Sequence, residues 1–102
     1  MVDGTSSRET LLTDEFHRQT AHIRWHDLQT YYAKGDVVNV APGLDLVAVA
    51  VALAMDNTDQ FQAWIDAGDI ASVTEHQAQL WFDQNPDLWA VVAAPWVLVQ
   101  SK

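Results

Sequence analysis

Residues 87–100 read DLWAVVAAPWVLVQ, and the twelve residues from Leu88 to Val99 are all apolar. A membrane-spanning helix needs about 20 such residues, and Pro95 interrupts this shorter run. An extended chain of this composition is apolar on both faces, which is typical of a strand covered on both sides. Because Pro95 has no N–H to donate to a ladder, the run predicts either two short strands bent at Ala94-Pro95 or one strand with an edge there.

A second strand is predicted upstream of this run. The β-branched residues of DVVNVAPG, positions 36–43, predict a strand over Val37–Ala41, which we expect to pair with part of the C-terminal run. The following stretch, LDLVAVAVALAMD, alternates Val and Ala, so it is compatible with a strand or with a mostly buried helix. Its length and the high helix propensity of Ala favour a helix over residues 44–56.

Apolar residues at helical spacing predict two segments near the N-terminus. The first begins at a serine cap, position 6 or 7, and runs to about His22. The second has a rotated apolar stripe over residues 25–32, so we expect a kink or a short turn near Arg24.

Two further helices are expected in the second half of the chain. Residues 61–65 mark a short helix, and residues 69–74 form a short extended segment after it. Thr74 is a natural N-cap that forms a capping box with Gln77, and this last helix ends at Asn85-Pro86.

One pattern occurs twice. LQTYYAKGDVVNV (28–40) and FQAWIDAGDIASV (61–73) each predict a helix, a glycine, an aspartate and an extended segment. The pair is either a true pseudo-repeat or a common helix–Gly–strand connection used twice, since a repeat array needs about three copies.

Together these segments predict one α+β domain, mostly helical, with a small sheet that includes the C-terminal apolar strand and with helices over one face. Residues 1–7 are small and polar and are expected to be a flexible N-terminus, with residues 8–102 as the single globular domain.

The charge of the chain is strongly negative and uneven. The net charge is −9, and residues 35–101 contain nine acids and no Lys or Arg. Such a surface repels phosphate backbones and anionic lipids, so nucleic-acid and membrane partners are not expected. The absence of Cys excludes thiolate chemistry and fits a reducing compartment, and the N-terminus has no signal-peptide pattern. We therefore expect a cytoplasmic protein.

Three blocks resemble, in this order, a family of small bacterial proteins catalogued only as a domain of unknown function, family 2288. They are IRWHDLQTYYAKGDVVNVAPGLDLVAVAVALAMDN, QAWIDAGDIASVTEHQAQLWF and LWAVVAAPWVLVQ. The resemblance runs from about Leu12 to Gln100, and PWVLVQ and AKGDVVNVAPGLDLV are its most specific parts. It implies one intact domain in a bacterial cytosol, and it implies no activity, ligand or catalytic residue.

His22 and His26 are the candidate metal ligands. On one helix their i, i+4 spacing places both imidazoles on one face, as in helical zinc sites. The segment HIRWH lacks the glutamate of the metalloprotease motif, and a third ligand would have to come from elsewhere. The alternative interpretation is a pair of solvated histidines.

Aromatic residues supply the candidate ligand site. The chain has five Trp, and their helical spacing indicates that most belong to the core. In an acidic protein such side chains can instead enclose a cation. The candidate ligand-binding residues are Trp25, Tyr31, Tyr32 and Trp64.

No catalytic residue can be assigned, because the chain has no nucleophile elbow, phosphate loop or dinucleotide fingerprint. We expect a non-catalytic binding or interaction module without a cofactor, whose partner is another protein or a second copy in a homodimer. The alternative is a domain that binds a small molecule, such as a cation, or an enzyme with an aromatic and acidic pocket.

Truncation after Pro95 is expected to unfold the protein, because it removes the last four residues of the apolar run that we place at the centre of the fold. Thermal denaturation followed by circular dichroism measures the loss of the cooperative transition. A soluble truncated chain that melts cooperatively would show that the run is an appendage.

Overall fold

The C-terminal run forms two strands of a five-stranded sheet in the structure, a computed structural model that describes residues 4–101. In chain order the elements are α1 (Gly4–Gln19), β1 (Ala21–Arg24), one turn of 3₁₀ helix (Trp25–Leu28), α2 (Gln29–Ala33), β2 (Val37–Val40), α3 (Leu46–Ala54), α4 (Thr58–Asp66), β3 (Ile70–Ser72), α5 (Glu75–Gln84), β4 (Asp87–Ala93) and β5 (Trp96–Gln100). The predicted mostly helical α+β class is confirmed. The predicted flexible terminus begins with three residues that lie outside the described range, so its boundary stays a prediction.

β5 lies in the middle of the sheet, whose strand order is β1-β4-β5-β2-β3. It pairs antiparallel with β4 across the bend at Ala94-Pro95 and parallel with β2 on its other side. The predicted bend and the predicted pairing between the strand at 37–41 and the C-terminal run are therefore both confirmed.

Alternate residues of the central strands point to opposite faces of the sheet, and both faces are buried. Val91 and Leu98 are paired in the cluster on one face, and Ala90 and Val99 are paired in the cluster on the other. Helices α1, α3 and α4 cover the first face, while the 3₁₀ turn, α2 and α5 cover the second. The expectation that helices cover one face is wrong, because each apolar face needs its own layer to exclude water.

The N-terminal helix differs from its prediction at both ends. α1 begins at Gly4, so the serines at positions 6 and 7 lie inside it, and it ends at Gln19 instead of near His22. Ala21–Arg24 form β1, which pairs antiparallel with β4. This pairing gives hydrogen-bond partners to the main-chain N–H and C=O groups on the side of β4 that faces away from β5. The second predicted segment is confirmed as the 3₁₀ turn followed by α2.

The later helices begin at side-chain caps. Thr74 Oγ1 accepts a hydrogen bond from the Gln77 N–H at 3.1 Å, as predicted. Asp45 and Asn57 cap α3 and α4 in the same way. The ambiguous Val-Ala stretch is the helix α3. The last helix, α5, ends at Gln84, and its C-cap Asn85 has a left-handed conformation directly before Pro86.

The two similar sequence units have the same local structure. α2 and α4 are each followed by a glycine with a φ of 79°, Gly35 and Gly68, and each leads into a strand. These strands, β2 and β3, are antiparallel neighbours, but the two helices lie on opposite faces of the sheet. The units therefore share a helix–Gly–strand connection and do not share a placement of the helix.

Gln100 is a polar residue in the core, with 1% of its surface exposed. Its Nε2 donates to the carbonyl oxygen of Ala41 at 2.7 Å and to that of Leu44. Both carbonyl groups lie between β2 and α3, so this amide ties the end of the central strand to the turn that leads into α3.

Replacing Gln100 with Met is expected to lower the free energy of unfolding by about 2 kcal/mol, because two carbonyl groups of the turn lose a donor. Urea denaturation measures the change. Gln79→Met is the matched control, since the amide of Gln79 bonds to Asp83 on an exposed surface of α5, and its effect should stay within about 0.5 kcal/mol. Equal free energies of unfolding for the two variants would show that the hydrogen bonds of the Gln100 side chain do not stabilise the fold.

Candidate interaction surface

The four predicted ligand-binding residues do not surround one space. Trp25 has 0% of its surface exposed, and its ring packs 5.4 Å from that of Tyr32. Tyr31 is exposed on α2, and Trp64 packs against the cluster on the opposite face of the sheet. The sheet therefore separates Trp64 from Trp25 and Tyr32. The sequence could not predict this separation, because apolar periodicity does not show which face of a sheet a helix covers.

The Trp25 indole lies in the core, as its helical spacing indicated. Its ring centroid lies 5.0 Å from that of Trp81, and its Nε1 has no hydrogen-bond partner among the described residues. The cluster around it is apolar, so the ring acts in packing.

His22 and His26 do not have the helical spacing that the sequence predicted, because His22 lies in β1 and His26 in the 3₁₀ turn. The ring centroids of His22 and Trp89 lie 3.8 Å apart, with the rings tilted by 42°, and His26 Nε2 lies 2.7 Å from the carbonyl oxygen of Phe82. Within residues 4–101 no group of three potential ligands is placed to hold a metal ion. Zinc binding by this pair stays a prediction, which titration calorimetry at neutral pH tests.

The two edges of the sheet differ in charge. The edge strand β1 carries Arg24, whose Nε lies 3.6 Å from a carboxylate oxygen of Asp87 on β4. The other edge strand, β3, is Ile70-Ala71-Ser72 and has no charged side chain. Charged residues commonly protect an edge from pairing with another chain, so β3 is the unprotected edge.

The main-chain groups along the outer side of β3 are unpaired. On its inner side the ladder to β2 continues to Asp69, whose carbonyl oxygen accepts from the Ala41 N–H at 2.8 Å. Bonded positions alternate in an antiparallel ladder, so the N–H and C=O groups of Ile70 and Ser72 point away from β2. No described residue bonds to these outward groups.

An apolar groove lies beside this edge. Gly68 ends α4 and turns the chain into β3, which places Ile65 of α4 next to the edge. Ile65 and Trp96 are 43% and 38% exposed, which is high for large apolar side chains. The groove has a volume of about 440 Å³ and is lined by Val38, Phe61, Ile65, Gly68, Ile70, Ala71, Ser72 and Trp96. We name the strand β3 and this groove together the β3 patch.

The described residues that line the groove are uncharged, although Asp66 and Asp69 are the chain neighbours of Ile65 and Ile70. The hydrogen bond from Arg18 lowers the pKa of the Glu15 carboxyl, and both side chains are exposed on α1. None of the helices over residues 4–101 has the length and apolar character to cross a bilayer. The β3 patch is thus a neutral, apolar part of an acidic surface.

The fold defines a class: an α+β domain with a mixed five-stranded sheet between two helical layers. The chain belongs to the family described as protein of unknown function (DUF2288), whose model matches residues 11–101. This confirms the family that the sequence blocks resemble.

A solved structure supports the same architecture. The NMR solution structure of PA1075 from Pseudomonas aeruginosa is 39% identical in sequence and has a TM-score of 0.79. The match covers 100% of this chain and 91% of that one. No curated protein matches this chain at a significant level.

The β3 patch was not predicted from the sequence. Residues 69–74 were predicted to be extended, but their position at an edge depends on which strands pair. One signal was present: Ile70 to Thr74 has no charge, and acids stand directly before and after it at Asp69 and Glu75.

Proposed function

We propose that this protein is a non-catalytic interaction module that forms a homodimer through the β3 patch. The observation that supports this proposal is the uncharged edge strand, whose outward main-chain groups are unpaired beside an exposed apolar groove. The proposal includes a protein partner rather than a nucleic acid or a membrane, because the net charge of −9 disfavours both. It also includes a cytoplasmic location, for which the cysteine-free sequence is the support.

A second copy is the partner that this edge fits best, since antiparallel pairing of β3 with itself is self-complementary. With Ala71 on the two-fold axis, Ile70 of one copy faces Ser72 of the other. These are the residues whose N–H and C=O groups point outward, so each pair can exchange both hydrogen bonds. The axis is perpendicular to the sheet, so the two Ile65 side chains lie on the same face of the joined sheet.

Electrostatic repulsion between two acidic copies is small at this edge. Asp69 is the acid nearest to the axis along the strand, two residues from Ala71. At about 3.4 Å per residue, the two Asp69 positions are about 14 Å apart along the paired strands. This distance exceeds the Debye length of about 8 Å at physiological ionic strength, so the pairing strand presents no close pair of like charges.

Ser72→Pro is expected to weaken dimerisation by about 2 kcal/mol, roughly thirty-fold in Kd. Proline removes an outward donor from each copy, while the ladder to β2 does not use the N–H of Ser72. Ser72→Ala keeps the main chain and should dimerise like the wild type. Sedimentation equilibrium measures the three dissociation constants, and thermal melts show that each variant is folded.

A second pair of variants tests the groove separately. Ile65→Asp should weaken the dimer, because it places a charge beside the paired edge. Leu80→Asp is the control, since it changes a similarly exposed apolar side chain of α5, which covers the opposite face of the sheet. A wild-type chain that sediments as a monomer at near-millimolar concentration contradicts the homodimer, and so does a Ser72→Pro protein that dimerises as tightly as Ser72→Ala.

A further inference from the structure

A second cavity lies at the opposite end of β5 from Trp96. The parallel strands β2 and β5 end side by side here, and the cavity beside them has a volume of about 470 Å³. Small-molecule sites commonly have volumes of about 300–1,000 Å³, so this cavity is large enough for a ligand. Apolar side chains of α3 and of the turn before it line part of the cavity, and its polar lining includes Thr20, Asp45 and Gln100.

The amide of Gln100 is held in one orientation. Its Nε2 donates to the carbonyl oxygens of Ala41 and Leu44, and only the nitrogen of an amide can supply these two N–H groups. Both hydrogens of the amide are therefore used within the chain. The acceptor of the same group, Oε1, receives no hydrogen bond from the described residues.

Gln100 Oε1 reaches the cavity, although Gln100 is only 1% exposed. Among the described residues, Trp25 Nε1 is the one buried side-chain nitrogen or oxygen that is both sealed from solvent and without a partner. Since Gln100 Oε1 also lacks a partner, it is not sealed, and its accessible surface opens into the cavity that Gln100 lines. Buried carbonyl oxygens are normally paired, so this oxygen is a position for a donor from outside the chain.

Thr20 and Asp45 present acceptors as well. The Thr20 hydroxyl donates its hydrogen to the carbonyl oxygen of Phe16 at 2.6 Å, which leaves only its lone pairs. Asp45 Oδ1 accepts from the first N–H groups of α3, and the second carboxylate oxygen has no partner among the described residues. None of these three side chains has a hydrogen left to donate, so a ligand that bonds to them has to be a donor.

A neutral donor suits Gln100 Oε1 better than an ion does. An ion that reaches this nearly buried oxygen has to lose most of its hydration, and an uncharged amide oxygen replaces little of it. Asp45 carries a counter-charge, but its side chain is exposed, so water screens that charge. A neutral N–H group loses less hydration, and a primary carboxamide carries two such groups on one nitrogen.

From this geometry we propose that the cavity binds a neutral small molecule through a primary carboxamide. One N–H of that group donates to Gln100 Oε1 and the other to Thr20 Oγ1, while the body of the molecule packs on the apolar side chains of α3. These residues differ from those of the aromatic pocket predicted from the sequence, and the site does not depend on the dimer.

Three probes that share a phenyl ring test the proposal on the full chain labelled with nitrogen-15. Benzamide carries the carboxamide, acetophenone replaces its NH₂ with a methyl group, and benzylammonium replaces the carboxamide with a charged donor. We expect benzamide to cause saturable shifts of the Gln100 side-chain amide resonances and to bind about tenfold more tightly than either other probe. Acetophenone or benzylammonium that binds as tightly as benzamide, or no saturation with millimolar benzamide, would overturn the proposal.

Thr20→Val provides the test within the protein. Valine has nearly the shape of threonine but no oxygen, so we expect benzamide to bind about fivefold more weakly. Thr13→Val is the matched control, because the Thr13 hydroxyl donates in the same way to the carbonyl oxygen four residues before it in α1, at 2.8 Å. Thermal melts show that both variants are folded. A Thr20→Val protein that binds benzamide like the Thr13→Val protein contradicts the second hydrogen bond of the ligand.

One further variant separates this proposal from the dimer. Ser72→Pro changes the β3 patch and leaves the cavity at the end of β5 intact, so it should bind benzamide with the affinity of the wild type. A failed dimer and a failed carboxamide site therefore give different results.

Discussion

The structure depends on burying β5 on both faces. Val97 and Val99 point into one cluster and Leu98 into the other, so neither face of this strand can be left to water. The strand also needs a neighbour on each side to satisfy its main chain, and β4 and β2 supply these. Because β2 is parallel to β5, the chain between them must leave the sheet and return, and that long connection provides three of the helices that cover it.

Much of this arrangement could be predicted, because short stretches of the sequence indicate it by their composition. A run that is apolar on both faces indicates a central strand, Pro95 indicates the bend, and Thr74 indicates a helix start. The strand β1 could not be predicted in this way. Ala21–Arg24 lack a β-branched pattern, and they are extended because β4, more than sixty residues later, offers an open edge. Pairing over that distance leaves no signal in the local sequence.

The sites were harder to predict than the fold, for the same physical reason. Periodicity indicated correctly that Trp25 and Trp64 are partly or fully buried, but it does not assign them to a face of the sheet. The spacing of His22 and His26 has a meaning only on a helix, and β1 removes that helix. The cavity at the end of β5 is lined by Thr20, Asp45 and Gln100, which are far apart in the sequence and meet only in the folded chain.

Two cavities lie at the ends of β5, where the helices no longer cover the strand. The helical layers cover the middle of the strand. Trp96 at its start lines the groove beside β3, and Gln100 at its end lines a cavity of about 470 Å³. A short central strand under helices of limited length leaves such openings at its ends, and the chemistry of each opening follows from its residues. At the start, apolar side chains and an uncharged edge suit a protein surface. At the end, polar side chains that include Asp45 and Gln100 line the cavity, so the same strand separates two surfaces of unlike chemistry.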